Sequence, residues 1–133
     1  MQRSPAELAG APPVRIDRGE LFWIASEHAG GSSGGAVEAH PHVVVQDDIF
    51  NHSRIATLIV CALTSNLQRA AEPGNVLLDP GEGNLPRQSV VVVSQICCVA
   101  KAHLRERIGS LSVARVEQIL AGLRFQQRSF FER

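Results

Sequence analysis

The stretch SVVVVSQICCV, Ser89 to Val99, decides the fold class. It is a short, β-favouring apolar run, and the loop before it, DPGEGNLPRQ (Asp79 to Gln88), carries the Pro and Gly punctuation of a tight connection between two strands. That loop does not read as a phosphate-binding loop, because no GK[ST] follows and no helix is expected to start there. Runs of the same kind recur as ELFWIA, HVVVQ, TLIVCALT, NVLLD and RIGSL, with turn residues between them. Such spacing predicts a mainly β barrel or sandwich. One segment has a different period. In SVARVEQILAGL, Val116, Ile119, Leu120 and Leu123 fall at i, i+3, i+4 and i+7, with Ser112 as the N-cap and Gly122 near the end, which predicts a single amphipathic helix close to the C-terminus.

A chain of 133 residues has room for one compact domain. Thirteen basic and thirteen acidic residues cancel, so bulk charge names no partner. Twelve of the thirteen bases are Arg, with Lys101 the exception; this permits a phosphate-bearing partner without demanding one. Cys61, Cys97 and Cys98 are odd in number and lie in apolar runs, which argues for buried thiols in a reducing cytoplasm rather than a disulfide framework. No run approaches membrane-spanning length, so no membrane partner is expected. Residues 1–16, rich in Ala and Pro, read as a flexible tail ahead of a domain over 17–133. The segment EHAGGSSGGAVEAHP reads as a glycine loop over a rigid scaffold.

Three kinds of chemistry compete for the polar residues. His40 and His42 in HPHVVVQ share a strand face, and His28 in the glycine loop would complete a zinc set; the HxH pattern is weak without HExxH or CxxC spacing, so no metal is expected. Nucleophilic catalysis lacks a GxSxG elbow. Acid–base work on a phosphodiester suits a histidine, whose ordinary pKa near 6.5 lets it exchange protons around neutrality. A metal-free ribonuclease uses the RNA 2′-OH as its nucleophile and needs a base, an acid and donors for the phosphorane. His40 and the hydroxyls of Thr64 and Ser65, at the end of TLIVCALTS, supply those types, although Thr and Ser end many strands. His42 reads as a core-edge histidine satisfied by a backbone carbonyl. His52 and His103 read as surface residues, Asp47 and Asp48 as turn residues, and Trp23 as core packing.

The ordered series RGELFWI, a glycine loop, HPHVVVQDDIFN, LIVCALTSN, LPRQSVVVVSQI and RIGSLSVARVEQI resembles the MazF/PemK toxins of bacterial toxin–antitoxin pairs, from Arg18 to about Leu123. The resemblance implies an SH3-like antiparallel β-barrel of the CcdB/MazF type with a C-terminal α-helix. It also implies a cytoplasmic homodimer that cleaves single-stranded RNA at short sequences without a metal or other cofactor, leaving a 2′,3′-cyclic phosphate and a 5′-OH, and a cognate antitoxin that occupies its RNA groove.

Family members usually carry Arg directly before the second-strand proline, and here that position is His40. The family's Thr or Ser ending the third strand matches Thr64, followed by Ser65. The frequent GSEQ loop pattern is replaced by GGSSGGAVEAHP, where Glu27, His28 and Glu38 stand as substitutes, and Ser94 replaces an Asp before Gln95. The resemblance therefore implies His40, Thr64 and Ser65 as catalytic and His28, His42, Arg54, Arg87, Ser94 and Gln95 as RNA-binding. Arg54 or Arg87 would restore the charge that neutral His40 gives up. Two alternatives follow from the departures: a non-catalytic barrel that binds antitoxin, nucleic acid or a target protein, and a metal-dependent hydrolase on His28, His40 and His42.

Overall fold

A computed structural model of the chain describes residues 15–25 and 38–131. Six strands form one antiparallel sheet: β1 (Glu20–Ala25), β2 (Ala39–Val44), β3 (Thr57–Thr64), β4 (Val76–Leu78), β5 (Ser89–Ala100) and β6 (Leu104–Ser110), in the order β4-β5-β3-β2-β1-β6. A one-turn helix, α1 (Asp48–Asn51), links β2 to β3, and α2 (Val113–Phe131) closes the chain.

Both faces of the sheet are buried, which is why the strands read as near-continuous apolar runs. One face, with Leu21, Val43, Cys61, Leu63 and Val91, packs beneath Ile119 and Leu123 of α2. The other gathers Phe22, Ile24, Val44, Leu58 and Val60 with Ile16. Val99 of β5 and Leu104 of β6 pack against that second cluster although three strands lie between theirs in the sheet order. The sheet is curled into a barrel-like form as the sequence implies.

β5 accommodates this curl through an irregularity. Its register with β3 runs to Cys61↔Ile96 and then resumes at Leu63↔Val91, so β5 spends extra residues where β3 spends two. Such a bulge bends a strand and re-aims its side chains. Ser94 and Gln95 lie in it, exposed.

Several local expectations take a different form. Gly122 lies inside α2, which continues to Phe131; a Cβ there would fall 2.1 Å from the Gly74 carbonyl oxygen, so this glycine serves a close crossing and not a helix end. Ser112 does cap the helix, its Oγ accepting from the Arg115 N–H at 3.2 Å. β6 begins three residues before RIGSL, on the exposed edge of the sheet. Cys61 is buried, but Cys97 and Cys98 are exposed, correcting the expectation of three buried thiols: they lie beyond the bulge, where β5 runs past the helix-covered core. The tail expected over residues 1–16 lies outside the described residues except for Arg15 and Ile16, and Ile16 is packed into the second cluster.

The β2–β3 connection is held by polar bonds. Asp47 caps α1 by accepting from the Ile49 N–H at 2.8 Å. The amide of buried Asn51 donates to the Gln46 carbonyl at 2.8 Å and the Asp48 carboxylate at 2.9 Å. Lys101 donates to the Asn51 carbonyl from the far end of β5 at 2.9 Å.

Candidate functional site

The register of β2 on β3 pairs His42 with Ala62, Val43 with Cys61 and Val44 with Val60. Continued by two residues, the same register sets His40 opposite Thr64, so an adjacent strand start and strand end present an imidazole and a hydroxyl together. Both line a cavity of about 550 Å³, and Ser65, Arg87, Trp23 and Glu38 line it too. The Thr64↔Val90 pairing brings the start of β5, with the Pro86–Arg87 segment before it, to the same place.

Each group is held in a usable state. The Thr64 oxygen accepts from the Asn66 N–H at 3.1 Å, which leaves the hydroxyl proton free to be donated. The ring of His40 is exposed, with Nε2 at 3.7 Å from the Glu38 carboxylate. Ser89 Oγ donates to the Arg87 carbonyl at 3.0 Å, fixing the backbone that carries the guanidinium. Among the described residues Arg87 forms no ion pair, so its charge faces solvent and the cavity.

The loop that delivers Arg87 is pinned at its other end. Arg115 of α2 grips Glu82 through Nε at 3.0 Å and Nη2 at 2.8 Å, and this guanidinium holds the Glu82 carboxyl below the ordinary carboxylate range. Gly83 sits at φ 59°, and a Cβ on Gly109 would meet its carbonyl oxygen at 2.2 Å.

The remaining sequence candidates are elsewhere. His28 and Glu27 lie outside the described residues. His42 is buried two residues further along β2, its Nδ1 at 2.8 Å from the His40 carbonyl, as expected of a core-edge histidine; burial lowers its pKa. Arg54 precedes β3 and stands at the end of that eight-residue strand opposite Thr64, a separation on the order of 20 Å at strand rise. Ser94 lines a separate cavity beside Phe125 and Gln126 of α2. Gln95 lines none of the described cavities.

Trp23 packs against the first core cluster as expected, but it is only half-buried and also forms part of the cavity wall. No one-dimensional signal reports this, because the pairing Trp23↔Pro41 that sets the indole beside the start of β2 is a tertiary fact. His52, expected as a plain surface residue, bonds Asp17 at 2.7 Å; with Asp48 these form the one group of three metal-competent side chains within 4.8 Å among the described residues. Its members are already engaged: Asp17 by Arg15, Asp48 by the Arg18 N–H and Asn51. His40 and His42 do not enter such a group.

A family profile described as "PemK-like, MazF-like toxin of type II toxin-antitoxin system" matches residues 17–126. The chain is 38% identical over 109 residues to "Endoribonuclease MazF2" of Mycobacterium bovis and equally to "Endoribonuclease MazF6" of Mycobacterium tuberculosis, covering 82% of this chain and 94% of each relative. It is 30% identical over 104 residues to "Endoribonuclease EndoA" of Bacillus subtilis, covering 78% of this chain and 87% of that one. In fold it matches a mycobacterial endoribonuclease solved in complex with its cognate antitoxin, with TM-score 0.65 and 21% identity over 83% of this chain and 92% of the other. It also matches MazE–MazF of Deinococcus radiodurans, with TM-score 0.62 and 18% identity over 84% and 94%. A profile match over most of the chain, with relatives matched along nearly their whole length, fixes the assignment: this chain belongs to the PemK-like, MazF-like toxins of type II toxin–antitoxin systems.

Proposed function

We propose that the chain is an endoribonuclease toxin that cuts single-stranded RNA at short sequences, without a metal, at the cavity between His40, Thr64 and Arg87. The observation that carries this reading is the meeting of those three groups, from three separate segments, in one open cavity of about 550 Å³. A neutral His40 takes the proton from the 2′-OH. The 2′-oxygen attacks phosphorus, the 5′-oxygen departs and is protonated by solvent, and the products are a 2′,3′-cyclic phosphate and a 5′-OH.

Charge accumulates on the non-bridging oxygens during attack, and Thr64 donates to it while Arg87 holds it electrostatically. Arg87 supplies from the β4–β5 loop the constant positive charge that the family usually carries on β2, which frees His40 for proton transfer. Trp23 stands where a base beside the scissile phosphate would stack. A homodimer acting in the cytoplasm, silenced by an antitoxin laid over this groove, completes the reading; one structural neighbour is itself an antitoxin complex.

The test is incubation of the purified full chain with long single-stranded RNAs in EDTA, with mapping of the cleaved ends. Wild type should leave 2′,3′-cyclic phosphate ends, and His40→Ala should lose about 10²- to 10⁴-fold, the span of general acid–base catalysis. Thr64→Ala and Arg87→Ala should each lose at least about tenfold. Full activity in His40→Ala, or cleavage that EDTA abolishes, overturns the mechanism. Absence of cleavage by wild type across RNAs overturns the activity and leaves a binding barrel.

A further inference from the structure

A second cavity, of about 590 Å³, is lined by His42, Cys97, His103, Arg105, Ile24 and Leu104 among others, and by none of the residues that line the His40–Thr64 cavity. Its distinctive member is His42, only 7% exposed. The Nδ1 of this ring lies 2.8 Å from the His40 carbonyl oxygen, which can only accept, so Nδ1 carries the proton and Nε2 carries a lone pair. No described group bonds Nε2. No sealed side-chain nitrogen or oxygen among the described residues lacks a partner, so Nε2 must reach solvent, and it does so at the cavity that His42 lines.

An acceptor nine-tenths buried on the wall of a cavity of mixed polar and apolar lining selects a ligand that brings an N–H. Burial lowers the pKa of this imidazole and keeps it neutral, and so an acceptor, at physiological pH. Ile24 and Leu104 offer apolar contact to a flat ring, and exposed Arg105, which forms no ion pair among the described residues, offers a guanidinium to an anion at the rim. Cys97, His42 and His103 do not bring their ligand atoms within 4.8 Å of one another, so the cavity is not a ready metal site.

We infer that this second cavity binds a nucleotide, with an N–H of the base donating to Nε2 of His42 and the phosphate resting on Arg105. Such a nucleotide comes either free or as part of an RNA strand. The site shares no lining residue with the His40–Thr64 cavity, and its occupancy does not require cleavage.

Cys97 on the cavity wall supplies the readout. In full-length protein carrying Cys98→Ser, so that Cys97 is the sole exposed thiol, its labelling by a chromogenic disulfide is timed with and without cytidine and guanosine 5′-monophosphates. A parallel arm uses single-stranded RNA with His40→Ala added, the variant expected to lose the most cleavage and one that keeps the backbone carbonyl bonded to His42. Slower labelling is expected, and it should be lost in His42→Asn, whose amide still donates to the His40 carbonyl but has no acceptor at Nε2. Arg105→Ala, at the exposed rim, should weaken it too.

Protection by a mononucleotide assigns a free ligand, and protection by RNA alone assigns a strand. No slowing by either probe overturns the site. Slowing that persists in both His42→Asn and Arg105→Ala overturns it equally, since the ligand would then lie elsewhere. A ribonuclease that fails this test, or a nucleotide site in a protein that cuts nothing, separates this inference from the proposed activity.

Discussion

Replacing Gly122 by alanine sets two effects of opposite sign against each other. In the interior of a helix alanine is favoured over glycine by about 1 kcal/mol, so helix propensity alone predicts a more stable protein. In this structure the added Cβ would lie 2.1 Å from the Gly74 carbonyl oxygen, 3.0 Å from its carbon and 3.2 Å from its Cα. All three are backbone atoms, so no side chain can swing aside. The crossing must open by more than an ångström, which separates Ile119 and Leu123 from the core they fill. Overpacking costs about 1–3 kcal/mol, and a clash against backbone belongs at the upper end, giving a net loss of about 2 kcal/mol after the propensity gain. For a domain of this length that lowers Tm by roughly 8 °C. Thermal and urea unfolding of Gly122→Ala measure it, with Gly81→Ala as the comparison: its Cβ meets open space and only the φ of 84° is unfavourable, a cost of about 1 kcal/mol. If Gly122→Ala melts at or above wild type, the crossing is not tight and the packing of α2 on the 72–75 turn is wrongly described.

Two more outcomes follow from side-chain environments. Because burial lowers the His42 pKa, the unfolded chain takes up a proton there before the folded one does, so stability is lost as pH falls below about 6.5. Urea midpoints should show this loss in wild type and a flatter profile in His42→Asn; the lowered Asp17 and Glu82 carboxyls add their own loss only in the lower carboxylate range. Thiol labelling followed by mass spectrometry should give two adducts on native protein, at exposed Cys97 and Cys98. The third should appear only in denaturant, because Cys61 is buried with its pKa pushed up to about 12. Three adducts on native protein would contradict the burial of β3.

Where the sequence is legible, the reason is period and punctuation. β3 occupies the expected TLIVCALT without a shift, and β5 extends one residue past its run, because apolar blocks between turn residues have few other solutions. His40 and Thr64 are likewise legible as the two ends of adjacent strands. What stays hidden depends on contacts between segments far apart in sequence. Arg54 and Arg87 look equivalent until β3 separates one from the cavity and the β5 start delivers the other. The bulge after Val91 has no marker in a run of four valines, yet it turns Ser94 and Gln95 away. Gly122 reads as a helix end because propensity rules see its flexibility and not the carbonyl against it. The early start of β6 is masked by RER, polar residues that an exposed edge strand tolerates.

The mutual approach of Gly83 and Gly109 bears on how this site can change over generations. Gly109 cannot acquire a side chain while the Gly83 backbone stays where it is, a side chain on Gly83 would run into Leu21 and Leu111, and Asn84, at φ 63°, donates from its amide to the Ile108 carbonyl across the same seam at 3.0 Å. The path of the β4–β5 loop is therefore locked to β6, and a single substitution cannot reroute it. Diversification on this wall of the cavity is confined to the identities of the side chains that follow the seam, Pro86 and Arg87, so a lineage can exchange the cation it shows to the cavity without redesigning the loop that holds it.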